Sequence, residues 1–348
     1  MNTQLGFKEL TNFIKVVGKD VTVIIQGEPG IGKSALLPMV AQHFPEHEVR
    51  YFDAALPPDS GDIQIPDVDK KGKKFSFIPN ELFMSDKPII IMLDELGKAS
   101  RQVQNALLPL LLEKRVGSYK LHPDSIVFGT TNLTTDGVGD NIQAHSKNRG
   151  CWVTMRKPTG DEWVQNFATD NDIDPAIQKW VSENPHCMAS YTDPAQADNP
   201  YIFNPKKMQA AFVTPRSLEK ASHISKQRMH LAPDTFIAGL AGTLGESAAR
   251  DLQAYMTLAD GLPLWANIIK EPLTTEVPTN VISQSILAIG AATRLDKTCV
   301  NPWLIYMDRL AKEVQALFVT QVMGSSKSVL LVSNKNFTAW VLKNNYMF

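Results

Sequence analysis

Gly27-Glu28-Pro29-Gly30-Ile31-Gly32-Lys33-Ser34 follows the spacing GxxxxGK[ST]. Glycines at these positions let the backbone wrap closely around phosphate, with successive N–H groups pointing inward. A helix starting at the lysine adds its positive N-terminal end. In this pattern Lys33 reaches the β and γ phosphates of a nucleotide, and Ser34 ligates Mg²⁺. Residues Gly27 to Ser34, with Ala35 after them, are therefore the expected nucleotide contacts.

A second constellation lies about sixty residues on. Ile89-Ile-Ile-Met-Leu-Asp94-Glu95 is an apolar run ending in two acids. Downstream of a phosphate loop, Asp94 is placed to hold Mg²⁺ through its water shell, and Glu95 to polarise an attacking water. A third run, Ile126-Val-Phe-Gly-Thr-Thr131-Asn132, ends in a side-chain amide that can orient that water and contact the γ phosphate. Arg149 is a candidate for the charge that develops on a transferred phosphoryl group, acting on the nucleotide of a neighbouring subunit; Arg156 is the alternative. Arg216, in Thr214-Pro-Arg-Ser, opens a helix in the second half and is placed to sense the bound phosphates.

These side chains need a sheet to hold them. Val21–Gln26 is a compact β-branched run before the glycine loop, and a helix is expected from about Lys33 to His43. Glu48–Ala54, Ile89–Asp94, Asp124–Thr131 and Cys151–Met155 read as further strands. Arg101–Lys114 reads as a helix with Pro109 inside it. Strands alternating with helices predict a parallel sheet covered on both faces. Two interruptions, Ile63–Pro79 turning at Lys70–Lys73 and Arg115–Pro123 turning near Gly117-Ser118, read as hairpins. Beyond Met155 the pattern changes. Thr159 and Glu162 form a capping box, 184–205 reads as a loop, and the periodicity past Pro215 is helical. The expected division is an α/β nucleotide-binding domain over 1–160, connector helices and loop over 161–212, and a helical region over 213–348.

The chain has 348 residues, 43% hydrophobic and 20% charged, with a net charge of −1. That composition excludes a disordered chain or a disulfide scaffold, and gives no global electrostatic case for nucleic acid or anionic membrane. The three cysteines, Cys151, Cys187 and Cys299, are far apart and read as free thiols in a reducing compartment. No apolar run approaches a membrane span and the amphipathic start is not a signal peptide, so a cytoplasmic protein is expected. The lysines 70, 71, 73 and 74 cluster at a hairpin tip, which reads either as a solvated turn or as a grip on an acidic partner or nucleic acid.

Together these residues resemble an AAA+ ATPase, and more narrowly the MoxR branch as found in phage and bacteria. Gly27–Ser34 is similar to Walker A and Ile89–Glu95 to Walker B. Asp94-Glu-Leu-Gly-Lys-Ala-Ser-Arg-Gln-Val-Gln-Asn-Ala-Leu107 is similar to the branch's segment after Walker B, and Phe128–Asn132 to its sensor 1 strand. Arg149 stands where the family carries its arginine finger, and Arg216 where it carries sensor 2. The hairpins resemble the helix-2 and pre-sensor inserts, and Gly242–Ala249 resembles the lid. Gly97-Lys98 departs from the branch's asparagine–arginine pair.

The resemblance implies a P-loop NTPase sheet domain with two hairpin inserts, followed by a helical lid and C-terminal helices. It implies ATP and Mg²⁺ as cofactors, a homo-hexameric ring, and a chaperone activity on a partner such as a von Willebrand factor A domain protein. Two other readings remain: a DNA-directed AAA+ motor or loader, which the lysine hairpin favours and the near-neutral charge disfavours, and a nucleotide-gated scaffold without turnover, which Glu95 disfavours. The segment just before Val21 is the expected adenine contact.

Overall fold

The computed structural model describes residues 4–69, 71–72, 74–133 and 150–344. Lys70, Lys73, Asn148 and Arg149 lie outside the described residues. The chain divides into two compact units, 1–157 and 158–348.

The first unit runs β1 (Gln4–Leu5), α1 (Phe7–Val17), β2 (Val23–Gln26), α2 (Leu36–Ala41), β3 (Glu48–Asp53), β4 (Gln64–Asp69), β5 (Lys74–Pro79), β6 (Ile89–Asp94), α3 (Arg101–Glu113), β7 (Arg115–Val116), β8 (Tyr119–Lys120), β9 (Ile126–Thr131) and β10 (Cys151–Met155). Its main sheet has six strands in the order β1-β10-β2-β9-β6-β3, every neighbouring pair parallel. Parallel strands must be covered on both faces, and their apolar runs show it: every residue of β6 and of β9 is buried. On one face Leu10, Ile14, Leu36 and Val40 from α1 and α2 pack on Val23, Ile25, Ile90, Met92 and Phe128. On the other, Val103, Leu107 and Leu110 from α3 pack on Ile24, Ile91, Leu93 and Val127.

Alternation along each strand then decides which polar residues meet. Asp94 shares the face of Ile90 and Met92, and Thr130 the face of Ile126 and Phe128. Register pairs Met92 with Phe128 and Tyr51 with Met92. Tyr51, Asp94 and Thr130 therefore come together at the C-terminal ends of β3, β6 and β9, on the side where α2 and the glycine loop lie.

The helix expected from Lys33 to His43 is shorter and begins differently. Lys33–Ala35 form a tight 3₁₀ turn that passes into α2. Pro38 has no N–H to complete an α-type bond back to the first turn, so that turn closes in the tighter form. By contrast α3 runs through Pro109 to Glu113, and stops where Lys114 turns left-handed at φ 51°.

Both expected hairpins are present as two-stranded sheets of their own, β4 with β5 and β7 with β8. The Ser118 N–H donates to the Phe77 carbonyl at 3.3 Å, so the tip of the second touches a strand of the first.

The second unit is helical. Thr159 caps its opening helix, Gly160–Trp163, with the Glu162 carboxylate reaching back to the Thr159 N–H. The span 184–205 is irregular apart from short 3₁₀ turns at Pro185–Met188 and Pro194–Gln196. Trp163, Ile177 and Trp180, from the expected connector, share one core with Leu218, Leu240 and Leu252. Trp303, Tyr306 and Phe318 centre a second core in the C-terminal helices. The cysteines are free thiols, Cys187 and Cys299 buried. Among the described residues no helix is long and apolar enough to cross a membrane.

Trp180 is fully buried. Trp180→Ala is expected to lower the unfolding free energy by about 3–5 kcal/mol through lost transfer energy and a residual cavity, read as a lower urea midpoint at an unchanged slope.

Candidate functional site

The glycine loop leaves β2 at Gln26 and returns as the 3₁₀ turn at Lys33. Gly30 at φ 74° and Gly32 at φ 100° hold backbone that a side chain would disfavour. Around Gly32 there is open space within 4 Å of the missing Cβ. Ile31 anchors the loop in the core beneath α1 and α2. The loop is thus packed into the core at its root and bare toward its opening, a shape that suits a phosphate.

Lys33 is 8% exposed and curls under the loop. Its ammonium donates to the carbonyls of Gly27 at 2.7 Å and Glu28 at 2.9 Å, and to Oδ1 of Asn132 at 2.9 Å. Asn132 is one residue past β9, and ninety-nine positions separate it from Lys33. The strand order explains the contact: β9 is the neighbour of β2, so both chain ends open side by side.

Asp94 is the hub. Its Oδ2 accepts from Ser34 Oγ and from the Tyr51 hydroxyl, each at 3.0 Å. Its Oδ1 accepts from the Glu95 N–H at 3.1 Å and from Thr130 Oγ1. A hydroxyl beside a carboxylate is a hard-oxygen donor set, which fits Mg²⁺. Ser34 and Asp94 are therefore the residues that would hold it. Glu95 sits in the left-handed region at φ 58° and ψ 33°, which costs a non-glycine residue about 1–2 kcal/mol. That turn takes its side chain out of the strand's alternation, and its carboxylate pairs with Lys98.

Tyr51 lies outside the sequence motifs, while Thr130 and Lys98 lie inside them without an assigned contact to the acids. Tyr51 and Thr130 reach Asp94 only through strand pairing, a non-local relation. Lys98 was legible, being three residues after Glu95 across a single turn. Burial, and then the Asp94 carboxylate, push the Tyr51 hydroxyl above its ordinary pKa range, so it stays a proton donor.

The remaining expected residues fall elsewhere. Arg149 lies outside the described residues. Arg156 follows β10; its N–H donates to the Leu5 carbonyl at 3.0 Å and its guanidinium lies against Gly6. Arg216 is an exposed residue in the first turn of helix Pro215–Lys226 in the second unit. The adenine expectation needs correction. The segment before Val21 lies at the starting ends of the strands, where Lys19 pairs with Asp124 at 2.9 Å, just ahead of β9. The glycine loop leaves the other end of β2. In parallel strands these are opposite edges of the sheet.

Residues 22–125 match the family model described as AAA domain (dynein-related subfamily). The first unit has the AAA+ P-loop NTPase fold, a parallel central sheet flanked by helices, and a helical region follows it. No curated protein matches the chain. Among solved structures, the RuvB Holliday junction branch migration motor of Thermotoga maritima is 13% identical, with 86% of each chain covered and a TM-score of 0.39. A mutant of that RuvB is 14% identical, again with 86% of each chain covered, at a TM-score of 0.41.

Thr130 is fully buried beside Asp94. Thr130→Val is expected to cost about 1.5–3 kcal/mol, the worth of a hydrogen bond to a charged group. Thr130→Ser should recover most of it, and urea unfolding of both variants checks this.

Proposed function

We propose that this chain is a Mg²⁺-dependent ATPase that works as a ring of identical subunits and remodels a partner protein, as the MoxR branch does. The observation that carries the reading is the meeting of three distant segments at one loop: Lys33 on Asn132 at 2.9 Å, and Ser34 on Asp94 at 3.0 Å. A structural glycine turn needs neither partner.

In this reading the loop from Gly27 to Ala35 wraps the phosphates, and Lys33 exchanges its carbonyl acceptors for β and γ oxygens. Mg²⁺, when bound, screens the charge of the β and γ phosphates. Glu95 accepts the proton of the water that attacks the γ phosphorus, and Asn132 holds that water in line. The bond from the γ phosphorus to the β–γ bridging oxygen breaks, and ADP and phosphate leave. Lys98 holds the Glu95 carboxylate in an ion pair, so the pair must open before that carboxylate can reach the water. Arg149 supplies charge from a neighbouring subunit, and Arg216 reports the nucleotide state to the helical unit. The work falls on a cytoplasmic client, with a von Willebrand factor A domain protein the first to try.

One observation favours a second reading, a DNA-directed motor. Val68, Phe75 and Phe77 share one face of the β4–β5 hairpin and are 60%, 68% and 38% exposed. Lys71 and Lys74 stand at its tip. Aromatic rings beside lysines suit single strands. A rise in ATPase rate on adding DNA that collapses with salt favours this second reading.

The test of the first reading is the steady-state ATPase rate against protein concentration. Glu95→Gln is expected to lower the rate by about 10²-fold or more, and Arg149→Ala by about 10³-fold. The wild-type specific rate should climb with concentration, and mixing the two variants should restore activity, since each supplies what the other lacks. A concentration-independent rate that survives Arg149→Ala rules out sites shared between subunits.

A further inference from the structure

Asp94 carries more donors than its motif requires. The two oxygens of a carboxylate offer about four acceptor positions. Here Ser34 Oγ and the Tyr51 hydroxyl take Oδ2, while Thr130 Oγ1 and the Glu95 N–H take Oδ1. The carboxylate is saturated by its own chain. A carboxylate that holds a hydrated cation through its water shell must accept hydrogen bonds from that water, so one of these donors has to give way.

The donors differ in how easily they leave. The Glu95 N–H is backbone, fixed by the turn that ends β6. Thr130 is fully buried in a central strand. Ser34 is held by the turn that ends the glycine loop and, in the nucleotide reading, stays at the cation with Asp94. Tyr51 alone sits on an edge strand, with β3 last in the sheet order, and is 46% exposed. Its neighbour on the same face, Val49, is 47% exposed, so this stretch of the edge strand opens to solvent. A rotamer change takes the phenol from Asp94 into water at little packing cost.

We infer that Tyr51 is a positioning residue that competes with a hydrated divalent cation for Oδ2 of Asp94. It sets how much Mg²⁺ the site needs and orients the carboxylate until the cation's water takes over that oxygen. The inference rests on the nucleotide reading above, because it gives Asp94 the cation-holding role.

Binding of a fluorescent ATP analogue, titrated with Mg²⁺ and repeated in EDTA, tests this without turnover. Tyr51→Phe is expected to lower the half-saturating Mg²⁺ concentration by about tenfold, the equivalent of one charge-assisted hydrogen bond, with EDTA affinity unchanged. Tyr51→Thr keeps strand propensity but cannot reach Asp94, and should behave alike. A Mg²⁺ requirement that is unchanged or higher in these variants overturns the inference. So does loss of EDTA binding in both, which makes Tyr51 a structural support. Lys33→Ala separates the underlying reading: if it binds the analogue as well as wild type does, or if wild type does not bind it, the nucleotide site itself fails, whatever Tyr51 does.

Discussion

A buried carboxylate must be supplied with donors, and most of what is specific about the first unit follows from supplying Asp94. Leaving such a group without partners costs several kcal/mol. The chain brings a hydroxyl from the glycine loop, a hydroxyl from each of two flanking strands and a backbone N–H from the turn beyond. Each donor comes from a different part of the fold. The glycine loop, β3 and β9 are therefore held to β6 by polar bonds at the same edge where apolar packing beneath already joins them.

That arrangement depends on parity. In a parallel sheet every strand delivers its C-terminal end to one edge, and a shift of one residue would turn each side chain to the opposite face. Strand pairing from Ile90 with Ile126 to Leu93 with Gly129 holds the register of β6 against β9. The apolar residues below thus decide that Thr130 meets Asp94, and that Asn132 stands over Lys33. Core packing and site geometry are one constraint seen at two depths.

The hairpins are attached where they can feel this edge. The β4–β5 hairpin lies in the chain between β3, which carries Tyr51, and β6, which carries Asp94. The β7–β8 hairpin lies between α3 and β9, which leads to Asn132. Gly117, at φ 57°, is packed so closely on Phe77 that a Cβ there would come within 2.8 Å of it. The two hairpins therefore touch each other and are joined in the chain to the strands that carry Tyr51, Asp94 and Asn132.

The glycine loop, the apolar strand ending in Asp94-Glu95, the amide at Asn132, five of the six main-sheet strands and both hairpins were legible in the sequence; the two-residue edge strand β1 was not. The legible features depend on local signals: glycines at fixed offsets, β-branched runs, turn residues, and apolar alternation. Other features depend on residues far apart in the chain, and only the folded arrangement decided them. Tyr51 and Thr130 join Asp94 because β3 and β9 flank β6, an order no local pattern encodes. The segment before Val21 lies at the sheet edge away from the loop because all the strands run the same way. The 3₁₀ turn at Lys33 lies between these cases: Pro38 was in plain view, but its effect on the helix start shows only when the backbone bonds are counted. Spacing along the chain named the candidate site residues; the order and direction of the strands decided what each of them touches.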